Sequence, residues 1–256
     1  MKKLKNIIKN LIPSGWKRSI QETIYNSMQL SWKTKSGIQI QVKSPVDWTL
    51  YNDIFVDLEY DKAIVKALNK KDTEILDLGA NVGFFILRIM SLAKRNDKVK
   101  ITSIEPDPRN ISEMNKRINL QNKKILKNIK IKIIEGVVGK KKGSEKMYFS
   151  HNYHMHTLKK NFSYAGSWHR KTHYINLESL CPPKGWDLIK VDIEGSEGDL
   201  VKNYKKLFSK TKTVVMEIHR SAVNEKNILQ TMRKIRFSKK TIVADHGSNV
   251  LYLFQK

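Results

Sequence analysis

Three short stretches of the sequence place acidic side chains beside glycines or a lysine, directly after apolar segments. The first is Asp-Leu-Gly-Ala-Asn-Val-Gly at residues 77–83. Gly79 and Gly83 lack a Cβ, so a ligand or a helix can approach the backbone there, and Asp77 can help to hold an ammonium group. The dinucleotide pattern G-x-G-x-x-G is not met, because Asn81 and a phenylalanine replace its later glycines, and no P-loop lysine follows.

The second stretch is Glu105 with Pro106, which ends the next apolar segment about 20 residues after Gly83. A carboxylate at this place in a nucleotide-binding sheet can accept two hydrogen bonds from a ribose diol. Taken alone, a strand-end acid is also typical of a helix cap. Together with residues 77–83, Glu105 predicts a site for an adenosine-containing ligand.

The third stretch contains Lys190, Asp192 and Glu194, which alternate along a predicted strand and its exit. Alternate residues of a strand point to one side of the sheet. A lysine inside a central strand is costly unless it is paired, and the neighbouring carboxylates can pair it. The alternative is a structural ion network, but these groups fall at the same sheet end as the first two stretches.

In this order, the three stretches resemble the FkbM family of methyltransferases, from about residue 38 to the C-terminus. The matching motifs are Asp77-x-Gly79-Ala80-Asn81-x-Gly83, Glu105-Pro106 and Lys190-x-Asp192-x-Glu194-Gly195-x-Glu197. Met216-Glu217-Ile218-His219 is similar to the acid-bearing strand that follows them in the family. The resemblance implies an S-adenosylmethionine-dependent enzyme that methylates a hydroxyl of a sugar, a glycan such as a cell-surface polysaccharide, or a natural product.

The motif match also implies which residues bind the cofactor. They are Asp77, Gly79, Asn81 and Gly83 around the methionine part, Glu105 at the ribose, Glu135 and Gly136 near the adenine, and Asp192 beside the sulfonium. The predicted catalytic residues are Asp192, His219, Lys190 and Glu194. Asp192 and His219 are the candidates for a base that removes the acceptor proton.

No metal site is predicted, and two alternatives remain open. A divalent metal held by Asp192, Glu217 and His219 can lower the pKa of an acceptor hydroxyl. His154 and His156, in the stretch from about 150 to 174, can also bind zinc, although their spacing is not diagnostic. That stretch, rich in histidines and aromatic residues, is predicted to be an irregular acceptor-binding lid.

The elements that position these residues alternate between strands and helices from Glu74 onward. The predicted strands are 38–42, 74–78, 100–104, 130–138, 187–192, 213–218 and a pair within 240–255; the predicted helices are 3–12, 17–29, 47–70, 83–94, 108–122, 197–208 and 223–235. This alternation predicts an α/β fold of the class I Rossmann-like methyltransferase type. We expect a mostly parallel seven-stranded sheet with an antiparallel C-terminal strand and helices on both faces.

The sequence of 256 residues divides into a basic helical extension at 1–36 and a methyltransferase domain at 37–256. Its formal net charge of +25 favours an anionic partner such as RNA or acidic lipid, or simply reflects lysines scattered over solvated faces. No apolar run predicts a transmembrane segment, and the single cysteine fits a reducing compartment. We expect a cytoplasmic protein, with a peripheral membrane position as the alternative.

Two other functions compete with O-methylation of a small hydroxyl acceptor. An RNA methyltransferase fits the net charge and the aromatic-rich stretch, although the sequence has no Asn/Asp-Pro-Pro-Tyr/Phe motif for base amines. A non-catalytic module that keeps the nucleotide pocket is the other alternative. The sequence keeps the acidic residues Asp77, Glu105 and Asp192, which argues against a module that has lost catalysis.

Overall fold

The computed structural model describes residues 30–149, 156–157 and 168–256, together with the single positions 23 and 27. Within these residues the central element is a seven-stranded sheet in the order β11-β12-β10-β9-β3-β4-β5. Its strands are β3 (Asp72–Leu78), β4 (Lys98–Glu105), β5 (Ile129–Glu135), β9 (Leu188–Val191), β10 (Thr213–His219), β11 (Lys239–Asp245) and β12 (Asn249–Gln255). β12 runs antiparallel to β10 and β11, and the other neighbouring pairs are parallel. The predicted sheet is confirmed.

Helices cover both faces of this sheet because its strands are apolar on both sides. The helices are α1 (Pro45–Tyr51), α2 (Asp61–Leu68), α3 (Phe84–Leu92), α4 (Pro108–Asn119), α5 (Lys123–Leu126), α6 (Glu197–Asn203), α7 (Lys205–Lys210) and α8 (Glu225–Lys234). Alternate strand residues separate into two buried clusters: Ile75 and Leu188 face α1–α4, whereas Leu76 and Ile189 face α6–α8.

The stretch predicted as one helix over 47–70 is interrupted. α1 passes directly into a π-helical turn at Asn52–Val56, and α2 begins after Leu58, which has a φ of 58°. The predicted helix at 197–208 is likewise two helices that meet at Tyr204, where the backbone is not helical. Periodicity alone did not reveal either break, since the apolar positions continue across both.

A hairpin precedes α1. Its strands β1 (Leu30–Lys33) and β2 (Gln39–Val42) pair antiparallel, with Leu30 opposite Val42. The predicted boundary between residues 36 and 37 falls in the turn of this hairpin, so β1 belongs structurally with β2. The predicted helices at 3–12 and 17–29 lie outside the described residues, except that positions 23 and 27 are helical.

A second small sheet contradicts part of the predicted irregular stretch. β6 (Ser144–Phe149) pairs antiparallel with both β7 (His156–Thr157) and β8 (Trp168–His173). Residues 168–173 are therefore a strand and not a loop, because their backbone is paired along the whole length of β6. The rest of the stretch predicted to be a lid lies outside the described residues. Within the described part of the chain, no helix is long and apolar enough to span a membrane.

Candidate functional site

The carboxyl ends of β3, β4 and β9 lie side by side in the middle of the sheet and are tied together. The backbone N–H groups of Gly79 and Ala80 donate to the carbonyl of Ile104, at distances of 3.0 and 3.1 Å. The N–H of Asp192 donates to the carbonyl of Leu78 at 3.1 Å. These bonds bring the three predicted motifs to one place.

Gly79 permits this close approach. Its φ is +76°, and a Cβ there would lie 1.7 Å from the carbonyl oxygen of Asp192. The sequence suggested that this glycine leaves room for a ligand. In the structure, the space beside Gly79 is taken up by the backbone of Asp192, at the end of β9. A side chain at residue 79 would therefore push β3 and β9 apart.

Glu105 is held rigidly at the end of β4. It is only 3% exposed, and its Oε2 accepts a hydrogen bond from the N–H of Asn81 at 2.8 Å. Its Oε1 accepts from the Asn110 side chain at 3.0 Å and from the Asp107 N–H at 3.1 Å. Three donors from two elements therefore fix the orientation of one buried carboxylate.

Glu105 and Asp192 both line a cavity between the strand ends, here called the strand-end cavity. Counting its open mouth, it encloses about 580 Å³. Its polar wall includes Asn81, Glu105, Asn110, Asp192 and Glu194, and its apolar wall includes Ile104, Val137 and Met147. Gly79 and Gly136 contribute backbone to the same wall. A carboxylate opposite an apolar patch suits a ligand that combines a diol with a flat apolar ring.

Three residues predicted to bind the cofactor do not line this cavity in the structure. Asp77 is fully buried on β3, and its Oδ1 lies 3.4 Å from Lys190 Nζ. Gly83 begins α3 with a φ of +90°, where a Cβ would lie 2.7 Å from Met114 Cγ. Glu135 points outward, 41% exposed, and pairs with Arg170 at 2.6 Å. Asp77 and Gly83 thus support the wall from behind.

Lys190 is buried beneath the strand ends, as its place in a central strand required. Nζ donates to the carbonyl of Gly79 at 2.7 Å and lies 3.6 Å from Asp192 Oδ2. Burial alone lowers the pKa of Lys190, but the charges of Asp77 and Asp192 outweigh it and raise that pKa. Lys190 therefore remains a cation that positions Asp192.

A second cavity lies on the other side of Asp192 and is called the acidic cavity. It shares Asn81 and Asp192 with the strand-end cavity and encloses about 810 Å³ with its mouth. Its ionisable lining residues are Asp53, Glu59, Tyr60, Lys190, Asp192, Glu217 and His246. Burial and the charge of Asp192 raise the pKa of Glu217 to about 8. Asp192 therefore stands in the wall of both cavities.

His219 lies away from the walls of both cavities. Its Nδ1 is 3.0 Å from Glu197 Oε1, and its Nε2 is 3.4 Å from Glu194 Oε2. Burial lowers its pKa, but the hydrogen bond to Glu197 and the charges of Glu197 and Glu194 raise the pKa of His219 to about 10. A histidine that is protonated at neutral pH holds two carboxylates in place and cannot accept a proton.

The ligand atoms of Asp192, Glu194 and His219 lie within 4.8 Å of one another, close enough for a metal ion. This group differs from the set considered from sequence, because Glu194 takes the place of Glu217. His219 would have to lose its proton before it could coordinate a metal through Nε2.

The cavity residues that the sequence did not indicate come from outside the motifs. Asn110 lies on α4, and Asp53, Glu59 and Tyr60 come from the segment before the first motif. Asp107 and Pro108 are typical of the start of a helix, here α4. Asn110 lies in the first turn of that helix, next to the end of β4, so this signal could have indicated it. Nothing in the local pattern of residues 53–60 marks them as part of a site.

Comparison with known proteins decides the family. A family profile described as the methyltransferase FkbM domain matches residues 77–239, which include all three motifs. The chain belongs to the FkbM methyltransferase family. The family and the class I Rossmann-like methyltransferase fold predicted from the motifs are both confirmed.

The solved structure of an FkbM methyltransferase agrees with this fold. The FkbM methyltransferase of Methylobacillus flagellatus KT has a TM-score of 0.51 and 16% identity over 72% of this chain and 44% of that chain. The present chain therefore spans less than half the length of the Methylobacillus protein. A Geobacter sulfurreducens methyltransferase has a TM-score of 0.44 and 12% identity, over 100% of this chain and 96% of that one. No significant match was found among curated proteins.

Proposed function

We propose that this chain is an S-adenosylmethionine-dependent methyltransferase that methylates a hydroxyl group of a sugar, a glycan or a natural product. The observation that carries the proposal is that Asp192 lines two separate cavities. One cavity has the features of a nucleoside site, and the other provides space for an acceptor beside it. A methyl transfer needs this arrangement, because donor and acceptor must line up across one point.

The residues of the strand-end cavity fit S-adenosylmethionine. The fixed carboxylate of Glu105 lines this cavity and is an acceptor of the kind that binds a ribose diol. Val137 and Met147 offer an apolar surface for the adenine, and the exposed backbone at Gly79 leaves space for the methionine part. Bound there, the cofactor would supply a methyl group activated by its positive sulfur.

The chain's own contribution is to orient the acceptor and to remove its proton. Asp192 stands between the cavities, held by Lys190 at 3.6 Å, and is the candidate base. Glu217 lines the acidic cavity, but its pKa of about 8 keeps it mostly protonated at neutral pH, so Asp192 is the candidate that can accept the proton. A base of this kind contributes about 10²–10⁴-fold to the rate.

The test is methyl transfer from labelled S-adenosylmethionine to fractionated lysate of the host. We expect label in a glycan or small-molecule fraction, and a loss of about 10²-fold or more with Asp192→Asn. The same variant should bind S-adenosylhomocysteine within about tenfold of the wild type, since Glu105 is untouched. Asp72→Asn, an exposed change at the opposite end of β3, is the matched control and should keep full activity.

An RNA acceptor is supported by the net charge of +25 and by the aromatic residues of the stretch at 150–174, but by no residue of the two cavities. Label that appears in the RNA fraction and disappears with Asp192→Asn would replace the sugar proposal by this one. No label in any fraction, from protein shown to bind the cofactor product, would contradict both.

A further inference from the structure

The acidic cavity collects carboxylates from three separate parts of the chain. Asp53 lies on the π-helical turn, Glu59 just before α2, Asp192 after β9 and Glu217 on β10. The whole chain has 49 basic and 24 acidic residues. The four acids make this cavity acidic, although the protein as a whole carries a net positive charge.

Little positive charge faces these four carboxylates. Lys190 lines the cavity, but its ammonium is already engaged by Gly79, Asp77 and Asp192. His246 lies 3.3 Å from Glu59 and is half exposed. Burial first, and then neighbouring acids, raise the pKa values of Asp53, Glu59 and Glu217. Such carboxylates are stabilised by any cation that enters.

Tyr60 provides a second, independent observation at the same cavity. Its side chain lines the cavity and is 5% exposed. Its ring packs edge-on against Phe85, with centroids 5.4 Å apart. Its hydroxyl has no hydrogen-bond partner among the residues that the structure describes. A hydroxyl in the wall of a cavity that bonds to no described protein group is available to a ligand with a donor or acceptor group.

We propose that the acidic cavity binds an acceptor that carries a protonated amine near the hydroxyl to be methylated, such as an amino sugar or an amine-bearing natural product. This rests on the proposed function, because it takes the acidic cavity as the acceptor site. The ammonium lies among Asp53, Glu59 and Glu217, and a ring hydroxyl pairs with Tyr60. The reactive hydroxyl then lies at Asp192, which lines both the acidic cavity and the strand-end cavity.

The cavity favours an organic cation over a bare divalent metal ion. With its mouth it encloses about 810 Å³, which suits a ring-sized group. The group of residues close enough to hold a metal includes Asp192 but neither Asp53 nor Glu59. A phosphodiester would meet four acids, so nucleic acid does not fit this wall.

The experiment compares sugars that differ by one charge, on protein saturated with S-adenosylhomocysteine. D-glucosamine and 6-amino-6-deoxy-D-glucose are each titrated beside their N-acetylated forms at neutral pH and followed by ligand-observed NMR. We expect at least one amine to bind about tenfold more tightly than its N-acetyl form, the factor typical of a charge-assisted hydrogen bond. Magnesium chloride alone is titrated as the metal probe.

The double variant Asp53→Asn, Glu217→Gln removes two of the four acidic groups with almost no change in shape. It should reduce the amine preference to less than about threefold, whereas Asp72→Asn should keep it. Absence of binding, equal binding of both forms, or a preference that survives the double variant would overturn the inference. Magnesium binding lost in the double variant, without amine binding, would overturn it in favour of a metal site.

Affinity for S-adenosylhomocysteine, measured on the same samples, separates the two proposals. If that compound binds and no amine is preferred, only the acceptor inference fails. If it does not bind to folded protein, the proposed function fails first.

Discussion

Glu217 combines partial burial with a nearby like charge, and its pKa of about 8 has a consequence for stability. The ordinary value of 4.5 applies to the unfolded chain. Because the folded-state pKa is higher, Glu217 favours the folded state fully below pH 4.5. That favourable contribution is lost as the pH rises toward about 8.

Glu217→Gln should therefore gain stability relative to the wild type as the pH rises. The difference in free energy of unfolding grows by up to about 1.4 kcal/mol per pH unit between the two pKa values and then levels off. Urea unfolding at several pH values measures it, with Asp72→Asn as a control whose profile stays parallel to the wild type. A constant difference for Glu217→Gln would contradict the raised pKa.

His219 shows the opposite balance, because its raised pKa comes from carboxylate partners. Its stabilising effect is full below its ordinary value of 6.5 and is lost as the pH rises through about 10. His219→Gln leaves the fully buried Glu197 without its charged partner. We expect a loss of about 3 kcal/mol near pH 6 that shrinks toward pH 9.

The measurement for His219→Gln is chemical unfolding at both pH values, together with methyl transfer. If activity disappears while stability is unchanged, His219 would act directly on the acceptor, as the sequence first suggested. A pH-independent loss of stability would contradict its proposed role as a buried cation.

The sequence predicted the acids that line the strand-end cavity better than the other acids of the site. Glu105 and Asp192 end strands and reach the cavity wall. Asp77 is the last residue but one of β3, and the neighbouring strand ends pack over it and bury it. Its residue type alone does not predict this burial. No sequence motif marks Asp53 and Glu59. They belong to a segment that lies far from Asp192 and Glu217 in sequence, and only the fold brings it to the acidic cavity.

At the scale of elements, the close contact of β3 with β9 depends on Gly79. Gly79→Ala would place a Cβ 1.7 Å from the carbonyl oxygen of Asp192. Gly247 is a matched control, since its φ of +80° is nearly the same as that of Gly79 but nothing lies within 4 Å of its Cβ position. Gly247→Ala should cost about 1–2 kcal/mol for the left-handed backbone alone.

We expect Gly79→Ala to cost at least about 2 kcal/mol more than Gly247→Ala and to weaken binding of S-adenosylhomocysteine. Thermal unfolding and calorimetry measure the two effects. Equal losses for the two variants would contradict the proposed role of Gly79 in joining the strand ends.

The order of elements was predictable because a βα alternation with apolar strands leaves few arrangements. The small sheet of β6, β7 and β8 was not predicted, since β8 is rich in polar and basic residues. β8 is a strand because its backbone forms hydrogen bonds with β6. Such bonds do not depend on residue type, so the sequence did not reveal them. The break between α1 and α2 was missed for a related reason, and it is this break that brings Glu59 and Tyr60 to the acidic cavity.

At the scale of the whole molecule, charge is divided between a basic surface and an acidic interior site. The net charge of +25 predicts binding to mixed-sequence RNA that weakens steeply with salt. Affinity for S-adenosylhomocysteine should change by less than about threefold over the same salt range, because the ligand carries little net charge. Filter binding and calorimetry compare the two. Salt-resistant, sequence-dependent RNA binding would instead favour an RNA acceptor.

The most direct test of the account is calorimetry of S-adenosylhomocysteine binding to the wild type and to Glu105→Gln. We predict one site with a Kd in the micromolar range. Glu105→Gln should weaken binding by about 10- to 100-fold, because the ribose loses charge-assisted hydrogen bonds. A folded wild-type protein that binds neither S-adenosylhomocysteine nor S-adenosylmethionine would contradict the cofactor site at the ends of β3, β4 and β9.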